Sequence, residues 1–368
     1  MSTMKAFYVL CLLFFFTTVL TAQYEKGSWY LDGNSSALLS LPLGDDFRST
    51  EFSAQAFRGG YFFTDRLLVG SQISVSASAG NDSRGGYFGL ELRPFARYYF
   101  PGGEKRKVNY FGEVGFGAIS PSSSNFSVEA DFHFGGGAEI ELFPGVVGTA
   151  MLRYDGTSRP LNTTSLSFGT NLLLGQLEKF EGKAPLQAGT FSTTGSLGGL
   201  YFSGQGFSDD SDRRGSIYLT PNIGYFLADG LMAEANFALT YIRFKNFSSS
   251  NQPGVETRNF KVLNTSLEFN LRYYLKKSGK LLPYVTGGAG YQTYRSVTTV
   301  GASGDRLNDT GLFSYQAGVG ASWFLSPNVA FDGSLRYHSE AYEEINLDVQ
   351  YELNSIQAEV GLRFFLKR

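Results

Sequence analysis

The chain has 368 residues, with 45 glycines, 34 phenylalanines and 22 tyrosines against 11 prolines, a composition that favours sheet and turn over helix. Its formal net charge of −2 leaves no electrostatic footprint for nucleic acid, so no nucleic-acid partner is expected. The single cysteine, Cys11, falls in the leader, and the mature chain is left without a disulfide framework.

Residues 1–22 carry one basic residue, Lys5, then an apolar run from Ala6 to Leu20 and small residues at Thr21 and Ala22. This is the layout of a secretory signal peptide cut near Ala22, which implies export through the Sec pathway. Leu10 stands where a lipoprotein signal would need a small residue before its cysteine, which argues against a lipid anchor. No later apolar run approaches the ~20 residues of a transmembrane helix. That excludes a helical membrane protein but not a barrel, whose strands hide their hydrophobicity by alternation.

In chain order, the pattern predicts strands at about 28–39, 52–63, 67–79, 87–100, 108–119, 128–142, 146–154 and 163–174. After a polar stretch at 176–187 it predicts a second set at about 189–202, 216–227, 231–244, 260–275, 281–294, 311–324, 329–339 and 351–366. The two sets echo each other. Gly27-Ser28-Trp29 is answered by Gly189-Thr190-Phe191, the RYYF of Arg97 to Phe100 by the RYYL of Arg272 to Leu275, and the LRY of Leu152 to Tyr154 by that of Leu335 to Tyr337. Tight turns at 64–65, 144–145, 228–230 and 326–328 alternate with long polar loops such as 204–215 and 246–259. Short turns on one rim and long loops on the other suit an outer-membrane barrel with the short rim in the periplasm.

Alternation assigns the faces. Leu267, Phe269, Leu271 and Tyr273 fall on one side of their strand and Glu268, Asn270 and Arg272 on the other. Leu231, Ala233, Ala235, Phe237 and Leu239 are read as outward with Glu234 and Asn236 inward, and Leu67, Val69, Ile73 and Val75 as outward with Gln72 inward. The fold class expected is therefore all-β: a transmembrane antiparallel up-and-down barrel, present as two tandem eight-stranded barrels at 23–175 and 188–368 joined by a linker at 176–187. One sixteen-stranded barrel is the alternative.

The opening Gly27-Ser28-Trp29 and Gly189-Thr190-Phe191, the strand ends RPFARYYF and NLRYYL, and the closing GLRFFL of Gly361 to Leu366 together resemble the eight-stranded outer-membrane barrels. That family includes the OmpA transmembrane domain and OmpX-like proteins, and more narrowly the outer membrane protein β-barrel domain of Bacteroidetes-type bacteria. The resemblance implies an outer-membrane location, contact with membrane lipid and lipopolysaccharide, and a closing strand read by the barrel assembly machinery. The chain departs from the family's aromatic last residue by running on through Leu366, Lys367 and Arg368, and it lacks the periplasmic peptidoglycan-binding domain of OmpA.

Inward positions of the first half collect Arg58, Arg93, Arg97 and Arg153 against Glu91, Glu113, Glu139 and Glu141. Those of the second collect Arg272, Arg336 and Arg363 against Glu234, Glu268, Asp332 and Glu359. An eight-stranded barrel has room inside only for its own side chains, so these charges are expected to pair as a lumen network. His133 is expected to face the lumen, and His338 is read as a polar strand end. Outer-membrane lipid A deacylases, also eight-stranded, use a His and a Ser two residues apart on one strand. Here Glu340 is two beyond His338, and Ser339 must point to the other face, so a lipid-modifying hydrolase is disfavoured. The acidic run Asp209, Asp210 and Asp212 lacks calcium-loop spacing, and GGG at 135–137 and GGAG at 287–290 lack the context of a phosphate loop. No catalytic residue, cofactor or metal is expected. What remains is a non-enzymatic outer-membrane protein with a structural or loop-mediated binding role, or a porin-like passive or gated channel.

Overall fold

The computed structural model describes residues 24–33, 36–43, 50–79, 87–101, 108–120, 129–157, 161–194, 196–205, 213–247, 258–300, 305–344 and 349–366; the leader and the acidic run at 209–212 lie outside them. The first half forms β1 (Trp29–Asp32), β2 (Ser36–Leu43), β3 (Thr50–Thr64), β4 (Leu67–Ala79), β5 (Tyr87–Tyr99), β6 (Val108–Ser120), β7 (Glu129–Phe143), β8 (Val146–Thr157) and β9 (Leu161–Leu173). The second forms β10 (Phe191–Thr194), β11 (Ser196–Gln205), β12 (Arg213–Leu219), β13 (Asn222–Ala228), β14 (Leu231–Phe247), β15 (Arg258–Tyr274), β16 (Leu281–Val300), β17 (Asp305–Ser326), β18 (Val329–Glu344) and β19 (Val349–Leu366). Three predicted strands are each split in two, giving β1 with β2, β10 with β11, and β12 with β13. The last break falls at Thr220 and Pro221, where proline has no N–H to give a ladder.

The two halves form two closed eight-stranded antiparallel barrels at the short-turn end. β1 pairs with β3 through Tyr30↔Gly60 and with β9 through Tyr30↔Leu173, which closes a ring of eight over β3 to β9. β10 pairs with β13 through Phe191↔Tyr225 and with β19 through Phe191↔Leu366, closing the second ring over β13 to β19. The same entry device precedes each. Gly27 (φ 93°) and Gly189 (φ 88°) occupy the left-handed region, which glycine enters without a Cβ clash. Their N–H groups donate to the carbonyls of Phe62 and Phe226, and the preceding Lys26 and Ala188 N–H groups donate to Asp65 and Asp229 in the turns opposite.

Toward the long-loop end the pairing changes partners. β2 lies beside β19, from Ala37↔Val360 to Leu43↔Asn354, and β9 lies beside β11, from Gly169↔Ser196 to Leu161↔Gln205. Eight strands of each half thus join a common upper ring of sixteen. Each half therefore pairs its backbone within itself at the lower end only, because the sheet forks and its upper edges are shared. At one fork Gly33 donates its N–H to the Thr170 carbonyl (2.7 Å), so close that an added Cβ would also sit 3.0 Å from the Phe364 ring. Below the fork Val146 and Leu172 of the first barrel pack on Val329, Leu362 and Phe364 of the second, a dry seam between two outer walls.

Elsewhere the outer walls are apolar and open: Phe269 is 60% and Leu271 56% exposed, and Val69, Ile73 and Phe237 also face out. Glu234, Asn270 and Arg272 are buried in the lumen, so the face assignment read from alternation holds. Such a continuous apolar wall around a polar interior is the inversion that a lipid solvent requires. Among the described residues no helix is long and apolar enough to cross a membrane; the crossing is made by strands.

Candidate functional site in the barrel lumens

Inside the first barrel, Arg97 is 1% exposed and donates from Nε to Glu113 (2.9 Å) and from Nη1 to Glu139 (2.5 Å), with its guanidinium 3.9 Å from the Phe111 ring centre. Arg58 pairs with Glu113 as well and lies over the Phe95 ring. His133 faces the lumen with Nε2 3.1 Å from the other Glu113 oxygen. This layer is matched, two arginines to two carboxylates, which offsets the cost of taking the charges out of water. Nearer the long loops Arg93 reaches Glu91 (2.8 Å), Asp131 (2.5 Å) and Asp155 (3.3 Å), and Arg153 holds Asp155 (3.0 Å). That layer has one more carboxylate than arginines. Glu141 is exposed at the lower rim.

The lower mouth is sealed by a residue from the segment that leads into β1. Tyr24 is buried among Phe62, Phe95, Tyr99 and Phe111, and its hydroxyl donates to Glu139 (2.6 Å). Burial first, then the Glu139 charge, hold this hydroxyl well above the usual phenol range, so it remains a donor.

The second barrel has the same two layers with different members. Below, Arg272 donates to Glu234 (2.9 Å) and Asp332 (2.8 Å), and Arg363 reaches the same two carboxylates (2.6 and 3.4 Å). Tyr284 (3.1 Å) and Ser322 (2.5 Å) donate to Asp332 too. Above, Glu268 accepts from the side-chain amides of Asn236 (3.0 Å), Asn270 (2.5 Å) and Gln316, while Arg336 pairs with Glu359 and donates to Gln316 Oε1 (3.2 Å). A cavity of about 460 Å³ opens between these groups and reaches Gly33 and Thr194 at the fork. The 176–187 segment, read as a plain linker, runs under this barrel and plugs it. Leu186 is buried among Phe226, Tyr274, Phe324 and Phe365, Phe180 stacks on Phe324 (5.3 Å), and the Leu186 carbonyl accepts from Gly230.

Each barrel brings the arginines and carboxylates predicted from alternation together in its lumen, except Glu141, which is exposed at the lower rim. Alternation could also have found Asp131 and Asp155, which lie two positions from His133 and Arg153 on the same strands. Of the amides around Glu268, Asn236 and Asn270 were placed inward by alternation, whereas Gln316, Tyr24 and Tyr284 were not singled out. His338 is not at a strand end. β18 runs on to Glu344, and His338 lines the cavity with Nε2 3.0 Å from Glu340.

The family model described as the outer membrane protein beta-barrel domain matches residues 179–364, half of the chain. The chain belongs to this family. It is an integral outer-membrane β-barrel, and its copies of the eight-stranded unit are two. Among solved structures it is similar to a bacterial polysaccharide outer membrane secretin, at 10% identity over 94% of this chain and 99% of that one (TM-score 0.43). The N-terminal β-barrel domain of Pseudomonas aeruginosa OprF matches at 15% identity over 49% of this chain and 98% of its own (TM-score 0.24). Neisserial surface protein A matches at 20% identity over 48% and 94% (TM-score 0.22). No curated protein matches the chain.

Proposed function

We propose that this outer-membrane barrel is a non-enzymatic, non-conducting binding protein that presents its long-loop rim and upper lumen to ligands outside the cell. One observation carries the reading: both lower mouths are closed, by Tyr24 in one barrel and Leu186 in the other, each beneath a matched layer of buried ion pairs. A solute entering the sixteen-stranded upper ring meets a floor on either side. For a non-enzymatic role, the His338 ring contacts Glu340 while Ser339 lies on the other strand face, and the His133 ring contacts Glu113. The leader at residues 1–22 supports export through Sec, the closing GLRFFL supports handling by the barrel assembly machinery, and the apolar wall supports contact with outer-membrane lipid and lipopolysaccharide.

Planar-bilayer recording and liposome swelling test this. The purified protein should give no steady conductance and should not admit small sugars. A stable ohmic pore would overturn the reading in favour of a porin-like channel, the second reading, which the wide upper ring favours.

A further inference from the structure

The cavity in the second barrel is a cup with a floor. Its base is the matched layer of Arg272 and Arg363 with Glu234 and Asp332, and it opens toward the shared upper ring at the fork. Its volume, about 460 Å³, lies in the range of small-molecule sites. The charge on its wall is unbalanced, since Glu268 and Glu359 share one arginine, Arg336. Glu268 is held by three amide donors that all reach Oε1. That fixes the carboxylate without neutralising it.

The uncharged part of the wall is polar: Thr194, Thr220, Ser266, Thr286, Ser334 and Gln357 line it, and His338 at its border turns Nε2 to Glu340 (3.0 Å). A fixed carboxylate and a wall of serine, threonine and amide groups call for a ligand that carries positive charge and several hydroxyl groups. Phe237 is the one aromatic residue bordering the cup among the described residues, and its ring faces outward, so the wall is not built for a flat or apolar body.

We propose that this cup binds a small hydroxylated amine, its ammonium group on Glu268 and its hydroxyl groups on the surrounding serine, threonine and amide side chains. The site rests on the sealed-floor reading of the second barrel. The upper layer of the first barrel has the same surplus of one carboxylate, so both lumens make the shared ring attractive to cations.

The test is calorimetric titration of the full chain in detergent micelles with three sugars of one shape: D-glucosamine, D-glucose and D-glucuronate. Glucosamine should bind best, glucose at least about tenfold more weakly, and glucuronate not measurably, as expected for one charge-assisted contact. Glu268→Gln should bring glucosamine down to the glucose level. Ser334→Met, which fills the cup, should abolish binding while the protein still migrates as a folded barrel on unboiled gels. Equal binding of all three sugars, preference for glucuronate, or no binding would overturn the proposal. Conductance of the same preparation separates it from the reading it rests on. A pore that keeps its glucosamine preference overturns the sealed floor and leaves the site, whereas a closed protein with no preference overturns the site alone.

Discussion

Arg97 and Arg272 end the same Arg-Tyr-Tyr strand in the two barrels, yet they pair with carboxylates on different strands. Arg97 reaches Glu113 on β6 and Glu139 on β7, and Arg272 reaches Glu234 on β14 and Asp332 on β18. Both guanidiniums keep an aromatic ring beneath them at 3.9 Å, Phe111 in one and Tyr284 in the other. A narrow dry lumen requires charge balance and hydrogen-bond satisfaction, and many pairings meet that need. From this layer upward the barrels diverge. Counted from equivalent turns and strand ends, Met151 of the first barrel has Ser334 in the second, Phe95 has Asn270, and Arg58 has Asn222. Each exchange removes bulk. At this level Arg58, Phe95 and Met151 occupy the first lumen, where the second keeps a cup.

The largest test of this comparison asks whether the two barrels are separate at all in their upper parts. Residues 23–368 hold no native cysteine to interfere, so Leu39→Cys with Ala358→Cys, cross-strand neighbours in the shared ring, should oxidise to a disulfide. That bond should hold the halves together after proteolysis in the 176–187 segment. Leu39→Cys with Thr164→Cys, the pairing that would continue from Tyr30↔Leu173 in a self-contained first barrel, should not oxidise. The reverse result would restore two fully independent barrels.

Next in size are the buried ion pairs. Arg97→Ala leaves Glu139 buried without its arginine and should cost about 3–5 kcal/mol, read from urea unfolding in lipid vesicles. A cost near zero would show that the layer is hydrated rather than dry. On the outer wall Leu271→Arg should cost ~2–4 kcal/mol in the same assay, while Asn270→Arg, which faces the cup beside Glu268, should cost less. If the two behaved alike, the assignment of lipid and lumen faces would be wrong.

The last test exchanges bulk between the lumens, and its second half has the smallest expected effect. Met151→Ser should cost about 2–5 kcal/mol, because it opens a void in a packed interior. The reciprocal Ser334→Met should change stability by less than about 1 kcal/mol, since the space already exists. Equal costs would mean that the cup is no emptier than the first lumen.

The sequence by itself determined the strands, their faces, the short and long rims and the ionised lumen of each half. All of these are local: side chains alternate with period two, so Arg97 or Glu268 could be placed inside without knowing any neighbour. Two closed rings were legible from the repeated opening at Gly27 and Gly189. The choice of partner was not. β2 leaves β9 for β19, and β11 leaves β19 for β9, because a strand edge offers the same N–H and C=O groups to any antiparallel neighbour in reach. Only the three-dimensional arrangement decides which edge is near. The plug at Leu186 and the empty space above Arg272 also needed the tertiary structure, since one depends on where a polar segment returns under the barrel, and the other on how side chains from β13, β15 and β18 meet.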